Sequence, residues 1–170
     1  MRHHADMQDH ESKDVDIARA LTWIVGQFES LSAPYQIVGG LAARAWGGTR
    51  DVVDIDLYAP FDRAQSVLTA ISPYVVWGPE RYRSDCWDLT FLKLDFAGQR
   101  LEVGDSASSP RFFNVVAGVW EDQVIDIESS DRLNVLGTTC CVIPKAELIR
   151  YKRALDRPVD RLDVAQLEGI

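Results

Sequence analysis

The stretch Tyr35–Pro60, which reads YQIVGGLAARAWGGTRDVVDIDLYAP, constrains the fold more than any other part of the chain. Its first residues have the aromatic and β-branched character of a buried strand, and Gly39 and Gly40 allow a sharp turn directly after it. A short helix over Leu41–Trp46 is predicted next, and its free N–H groups would attract phosphate. A loop then leads to a second strand, Val53–Tyr58, so the stretch predicts helices combined with a sheet.

Two aspartates on the second strand form the first candidate site. Asp54 and Asp56 are two residues apart and share one face, while Ile55 and Leu57 point into a core. Two ionised carboxylates about 6–7 Å apart repel each other by roughly 2–3 kcal/mol at an effective dielectric constant near 20. A bound cation would relieve that repulsion, and Mg²⁺ prefers carboxylates, water and phosphate oxygens. The alternative is an ordinary solvated face of an amphipathic strand.

The glycine turn and the aspartate pair occur together, with Arg50 in the loop between them. In this order the motif resembles the small bacterial "minimal" branch of the polymerase-beta-like nucleotidyltransferase superfamily, which carries Gly-Gly or Gly-Ser, a short helix and Asp-x-Asp on a strand. The match places Gly39 and Gly40 on the glycine motif. Many relatives have Thr two residues after the loop arginine, and here that residue is Val52. The resemblance implies an α+β fold with a mixed central β-sheet flanked by helices and with further helices at the C-terminal end.

A third carboxylate is expected on a predicted hairpin. Residues 87–96 alternate in hydrophobicity, 97–99 are typical of a turn, and 100–103 form the return strand. In relatives the third metal-site carboxylate lies on such a strand, so the resemblance nominates Glu102. Asp95 and Asp105 are alternatives if the register differs. Glu102 could also be an exposed acid on a hairpin with no function.

The C-terminal segment extends the resemblance to about Leu167. Relatives of the abortive-infection and toxin–antitoxin type end with an isoleucine-proline entry, a helix that carries lysine, and Arg-x-x-Asp. Here those residues are Lys152, Arg157 and Asp160, on helices predicted over 145–155 and 159–167. The resemblance implies that Lys152 and Arg157 bind the nucleotide by neutralising triphosphate charge. The alternative is a surface pair of Arg157 and Asp160 that contributes under about 1 kcal/mol.

The resemblance implies a two-metal transfer of a nucleoside monophosphate from a nucleoside triphosphate, such as ATP, to an acceptor hydroxyl. Asp54 and Asp56 would bind two Mg²⁺ ions, and Glu102 would bind one of them. The Gly39–Gly40 turn would hold phosphates, and Arg50 with Lys152 would meet the charge of the leaving pyrophosphate.

The acceptor is left open by the sequence. Antibiotic-modifying relatives use a small molecule, and toxin-type relatives use RNA or a protein hydroxyl. A second interpretation is a toxin–antitoxin component, or a module of the same fold that binds nucleotide or a partner protein of a two-gene system without catalysis. A third is a structural protein with an acidic face.

The composition sets the remaining limits. The 170 residues are predicted to form one domain over 14–170 after a disordered tail over 1–13, and the three histidines in that tail are not expected to bind metal. The net charge of −8 argues against a broad nucleic-acid surface. No apolar run approaches the ~20 residues of a membrane span, and the odd number of cysteines, three, is typical of reduced thiols in a cytoplasmic protein.

The other predicted elements come from periodicity alone. They are a helix from Asp14 to the segment before Ser32, a helix over 61–71, a strand over 74–77 closed by a Gly78-Pro79 turn, and strands over 124–127, 133–136 and 138–143, with 112–120 unassigned.

Overall fold

The computed structural model describes residues 2–169, with side chains from residue 13 onward. Its first helix, α1, spans Arg2–Ser30. The backbone of residues 2–13 belongs to this helix, while Met1 and the histidine side chains of this segment lie outside the described part. The division into a tail over 1–13 and one domain over 14–170 stays a prediction. Residues 2–13 contain no proline or glycine to end a helix. They also carry no apolar stripe, so the hydrophobic pattern gave no signal there.

The remaining elements follow in chain order, together with two short 3₁₀ turns at Ser72–Tyr74 and Ile127–Ser129. They are β1 (Gln36–Val38), α2 (Gly39–Ala45), β2 (Ile55–Ala59), α3 (Gln65–Ile71), β3 (Val75–Arg83), β4 (Trp87–Phe96), β5 (Gln99–Asp105), β6 (Arg111–Asn114), β7 (Val119–Asp122), β8 (Asp131–Val135), β9 (Thr138–Val142), α4 (Lys145–Leu155) and α5 (Pro158–Glu168). Among the described residues, no helix is long and apolar enough to cross a membrane.

The strands form one mixed sheet. Its order is β7-β6-β4-β5-β2-β1-β9-β8, and β3 pairs with β4 outside this path. Two pairs, β1 with β9 and β2 with β5, are parallel, and the other pairs are antiparallel. The predicted α+β class with a mixed central sheet, flanking helices and C-terminal helices is confirmed.

The two faces of the sheet have different characters because side chains alternate along each strand. Ile37 lies opposite Leu57, and Leu57 lies beside Val103, so one apolar row crosses three strands. These side chains are buried in the main core together with the apolar face of α1, where each contributes roughly 1.5–3 kcal/mol of hydrophobic stabilisation. The opposite face of the same strands carries the polar residues.

Three predicted segments differ from the structure. The strand over 74–77 does not end at Gly78-Pro79 but continues as β3 to Arg83, because register shifts against β4 absorb the extra residues. The helix over 61–71 begins only at Gln65, since residues 60–64 form a turn in which Arg63 N donates to Pro60 O. The unassigned segment 112–120 contributes to the β6–β7 hairpin, and the strand predicted over 124–127 is absent from this described segment.

Candidate active site

A cavity of about 410 Å³ lies over the polar face of β1, β2, β5 and β4, and residues of α4 and α5 also line it. All eight residues nominated from the sequence line this one cavity, although they come from six separate segments of the chain. They are Gly39, Gly40, Arg50, Asp54, Asp56, Glu102, Lys152 and Arg157.

The acidic side of the cavity is set by strand register. On the parallel strands β2 and β5, Asp56 lies beside Glu102, and Glu102 lies opposite Lys93 on antiparallel β4. Neighbouring strands are about 4.8 Å apart. The three side chains therefore form one row on one face, and Asp54 precedes Asp56 by one full strand repeat on the same side.

Two of the three acids are paired with cations. Arg100 Nη2 donates to Asp54 Oδ2 at 2.7 Å, and Lys93 Nζ lies 3.8 Å from Glu102 Oε1. Asp56 forms no ion pair within the described residues. In that same part of the chain, no three metal-ligating side chains are already gathered closely enough to hold an ion. The acids share a face as predicted, but their carboxylates are turned toward separate cations.

Asp56 carries the strongest electrostatic signal among the three acids. Burial raises the pKa of Asp56 to about 7, with further contributions from the charges of Asp54 and Glu102. Burial also raises the pKa of Glu102, while Lys93 opposes that effect. Negative charge is therefore disfavoured at Asp56 in the ligand-free protein, which is the environment in which an added cation is favourable.

Asp95 and Asp105, the two alternatives to Glu102, accept hydrogen bonds from backbone N–H groups outside the cavity. Asp95 lies at the turn of the β4–β5 hairpin, where its Oδ1 accepts from Gly98 N at 2.9 Å. Asp105 is one residue out of phase with the polar row, and its Oδ1 accepts from Phe61 N at 3.1 Å and Ala107 N at 3.0 Å. Neither residue lines the cavity.

The two glycines of the turn lie against different side chains. Gly39 has a φ of +68°, and a Cβ there would collide with Asp56 Oδ2. A Cβ on Gly40 would lie 2.7 Å from Arg50 Nη2, the far end of a flexible side chain. Helix α2 starts at Gly39 rather than at Leu41 as predicted. Because glycine has no Cβ, the backbone of this turn can lie directly against Asp56 on the acidic side of the cavity and Arg50 on its basic side.

We expect Gly39→Ala and Gly40→Ala to separate these two roles. Gly39→Ala should lower the free energy of unfolding by about 1–3 kcal/mol, because alanine resists a positive φ and its Cβ displaces Asp56. Gly40→Ala should destabilise the fold less than Gly39→Ala, because only the tip of Arg50 must move, and it should weaken triphosphate binding, because that tip also donates to Asp163. Urea unfolding and calorimetric binding measure the two effects; equal destabilisation by both variants would contradict this difference.

The basic side of the cavity is a buried ion-pair cluster. Asp163 Oδ1 and Oδ2 accept from Arg50 Nε at 2.8 Å and Nη2 at 3.0 Å, and Lys152 Nζ lies 2.8 Å from Asp163 and 3.2 Å from Asp160. Asp160 also accepts two side-chain hydrogen bonds from Arg157, at 2.6 and 3.0 Å. The side chains of Lys152, Asp160 and Asp163 are only 3%, 0% and 1% exposed.

This cluster corrects the sequence analysis in one respect and extends it in another. The Arg157–Asp160 pair is not a solvated surface pair, because Asp160 is fully buried. Leu162 and Ala165 of α5 are exposed, and the inward residues of this helix are Asp160, Asp163, Val164 and Leu167. Their i, i+3, i+4, i+7 spacing was the available signal for Asp163, but two acids at inward positions do not resemble a hydrophobic stripe.

Electrostatics agree with ionised partners in this cluster. Burial alone would raise the pKa of Asp163, but hydrogen bonds from Arg50 and Lys152 outweigh it and hold that pKa below its usual value. The hydrogen bond to Asp163 raises the pKa of Arg50. Three cations share two carboxylates, so the cluster leaves a net positive charge facing the cavity.

An aromatic wall, which the sequence analysis did not identify, completes the cavity. Trp87 Nε1 donates to the Tyr151 hydroxyl at 2.8 Å, and the Arg157 guanidinium lies 4.8 Å from the Trp87 ring centroid. Tyr82 and Phe91 line the same side. Burial raises the pKa of Tyr151 to about 12, so its hydroxyl stays protonated at neutral pH. Aromatic side chains that line a cavity can stack against a planar ring of a ligand.

Comparisons with known proteins identify the fold. No protein-family model matches the sequence, and no curated protein matches it significantly. Among solved structures, a Thermotoga maritima protein described as a nucleotidyltransferase superposes with a TM-score of 0.65 at 18% identity, over 91% of each chain. The lincosamide adenylyltransferase LnuA, bound to lincomycin, has a TM-score of 0.58 at 17% identity, over 89% of this chain and 96% of that one.

A second antibiotic adenylyltransferase gives the same result. ANT(2")-Ia in complex with adenylyl-2"-tobramycin superposes with a TM-score of 0.58 at 17% identity, over 89% of this chain and 87% of that one. At these identities the likeness shows the fold and not the reaction. The chain has the nucleotidyltransferase fold, as the resemblance of its motifs implied.

Proposed function

We propose that this protein is a nucleotidyltransferase that transfers a nucleoside monophosphate from a nucleoside triphosphate to an acceptor hydroxyl, with Mg²⁺ as cofactor. The single observation that carries the proposal is the cavity itself: it places three acids on one wall, three cations on another and a glycine turn between them. The fold, shared with adenylyltransferases, adds support.

The donor set fits Mg²⁺. Asp54, Asp56 and Glu102 provide hard carboxylate oxygens on one face. Burial, and then the charges of Asp54 and Glu102, raise the pKa of Asp56, and a bound cation would offset all three effects. These three residues would hold the metal, with the ion pairs to Arg100 and Lys93 released. Bound Mg²⁺ supplies neutralisation of phosphate charge and activation of an acceptor hydroxyl.

The chain's own residues account for binding and orientation. Arg50, Lys152 and Arg157 present positive charge to the triphosphate, and arginine does so with a rigid fork of donors. Gly39 and Gly40 let phosphate oxygens approach the backbone because no side chain intervenes. The aromatic wall of Trp87, Tyr82 and Phe91 receives either the base or a planar part of the acceptor. Fixed positioning of this kind lowers the barrier without covalent chemistry by the protein.

A labelled-triphosphate experiment tests this function. Purified protein is incubated with each of the four nucleoside triphosphates, Mg²⁺ and cell extract, and mass spectrometry searches for extract components that gain one nucleoside monophosphate. The expected result is Mg²⁺-dependent pyrophosphate release with one such adduct class. The chemical nature of the adduct then distinguishes a small molecule, RNA or protein hydroxyl as acceptor. Triphosphate binding that stays absent at millimolar Mg²⁺ would contradict the proposal.

A second candidate is a nucleotide-binding module without catalysis. The observation in its favour is that the acids are already engaged by Arg100 and Lys93 and are not gathered for metal in the described part of the chain. Triphosphate affinity that is equal in Mg²⁺ and in a chelator, with no pyrophosphate release, would favour this module. Membership of a toxin–antitoxin pair stays a prediction from the sequence resemblance.

A further inference from the structure

Helix α5 carries three polar side chains at three-residue spacing, Asp160, Asp163 and Gln166, which we call the polar ladder. Residues at this spacing lie on one side of a helix. Asp160 and Asp163 are buried, although carboxylates are rarely buried unless they are paired. Hydrophobic packing alone therefore does not explain why these two carboxylates are buried.

The middle of the ladder joins two elements that are distant in sequence. Asp163 accepts two hydrogen bonds from Arg50, which lies 113 residues earlier in the loop between α2 and β2, and it also pairs with Lys152 of α4. Both cations line the cavity. One carboxylate thus sets the separation and the direction of two positive side chains.

The end of the ladder holds the same loop a second time. Gln166 Oε1 accepts from Thr49 N at 2.9 Å, and Gln166 Nε2 donates to Thr49 Oγ1 at 3.0 Å. Two consecutive loop residues, Thr49 and Arg50, are therefore fixed to α5. The Arg50 guanidinium lies against Gly40 at the glycine turn.

Both cations keep donors for a ligand. Arg50 has five N–H donors, and its hydrogen bonds to Asp163 and to the Asp51 carbonyl oxygen use three of them. Lys152 has three, and its contacts with Asp160 and Asp163 use two. The ladder removes the conformational freedom of long side chains before a ligand arrives, which reduces the entropic cost of binding.

We propose that Asp163 is a positioning residue of the active site: it aims Arg50 and Lys152 at the phosphates of the nucleotide without touching the nucleotide itself. This inference rests on the proposed function and names the device that organises its basic side. Asp160 performs the corresponding role for Lys152 and Arg157.

A double-mutant cycle in the full chain tests the proposal, with ATP and inorganic tripolyphosphate as probes in calorimetry with Mg²⁺. Asp163→Asn is expected to weaken binding of both probes about tenfold, and Arg50→Ala about as much. Asp163 acts through Arg50, so the two losses of affinity should not add. The double variant should bind at most a few-fold more weakly than whichever single variant has the lower affinity. Fully additive effects, or unchanged binding by Asp163→Asn, would overturn the proposal.

Two further variants keep the test decisive. If Asp163→Asn fails to fold, Arg50→Lys retains the charge but cannot form the two-pronged pair, so it should still bind about tenfold more weakly than wild type; wild-type affinity of Arg50→Lys would refute positioning. The matched control is Asp156→Asn, which removes an exposed carboxylate paired with Arg161 near the same helix and should not change affinity.

Binding by the wild-type protein separates the proposed function from the role of Asp163. A wild-type protein that binds neither probe overturns the proposed function, and the role of Asp163 with it. A wild-type protein that binds both probes while Asp163→Asn binds equally well leaves the function standing and refutes only the positioning role.

Discussion

Replacing Asp56 with Asn is expected to reduce nucleotidyl transfer about a thousandfold or more, because it removes the acid at the centre of the polar row. Asp56 lies between Val38 and Glu102 in register and directly against Gly39, and neither Asp54 nor Glu102 occupies that position. Pyrophosphate release at saturating triphosphate and increasing Mg²⁺ measures the loss. Added Mg²⁺ should not restore activity.

The matched control for this prediction is Asp62→Asn, an exposed acid close in sequence that does not line the cavity. It should keep wild-type transfer. Full activity of Asp56→Asn, or an equal loss in Asp62→Asn, would show that the acidic wall is not the metal-binding element.

The same Asp56→Asn substitution is expected to stabilise the ligand-free protein at pH 8 by roughly 2–4 kcal/mol. The pKa of Asp56 is raised from 3.8 to about 7 in the folded chain. Between these pH values the folded protein keeps a proton that the unfolded chain has released, so the free energy of unfolding falls as pH rises through this window. Asparagine removes the penalty, which has its full size above pH 7.

Urea unfolding of both proteins at pH 4 and pH 8 checks this prediction. The advantage of Asp56→Asn should be small at pH 4, where the folded carboxyl is protonated and the unfolded one, with its pKa of 3.8, is only partly ionised, and it should be largest at pH 8. Mg²⁺ at pH 8 should stabilise the wild type and narrow the difference. Destabilisation by Asp56→Asn at pH 8 would contradict the raised pKa; Asp62→Asn should show no such pH dependence.

The acidic wall was predictable because it depends on local periodicity. Alternation along β2 puts Asp54 and Asp56 on the face opposite Ile55 and Leu57, and a two-residue hairpin turn, Ala97-Gly98, fixes the register of Glu102. These are short-range rules, and the structure follows them. These rules did not predict the ion pairs of Arg100 with Asp54 and of Lys93 with Glu102, because cross-strand partners depend on which strands become neighbours.

The basic and aromatic walls depend on tertiary contacts. Lys152 and Arg157 were nominated by resemblance, but the burial of Asp163 follows only when α5 packs against the loop that carries Arg50. Trp87 and Tyr151 meet across 64 residues of chain, and no local pattern marks that contact. Hydrophobic periodicity identifies the buried face of a helix by its apolar residues, so it does not predict the burial of polar residues such as Asp163.

The placement of β1 in the sheet has a consequence for the order in which the protein folds. Strand β1 pairs with β2 on one side and with β9 on the other, and Ile37 lies beside Val142, 105 residues later. Contacts of such long sequence separation form slowly, because loop closure precedes any gain from pairing. A ribosome must therefore release most of the chain before β1 pairs with β9, and we expect the cavity beside β1 to form late in folding.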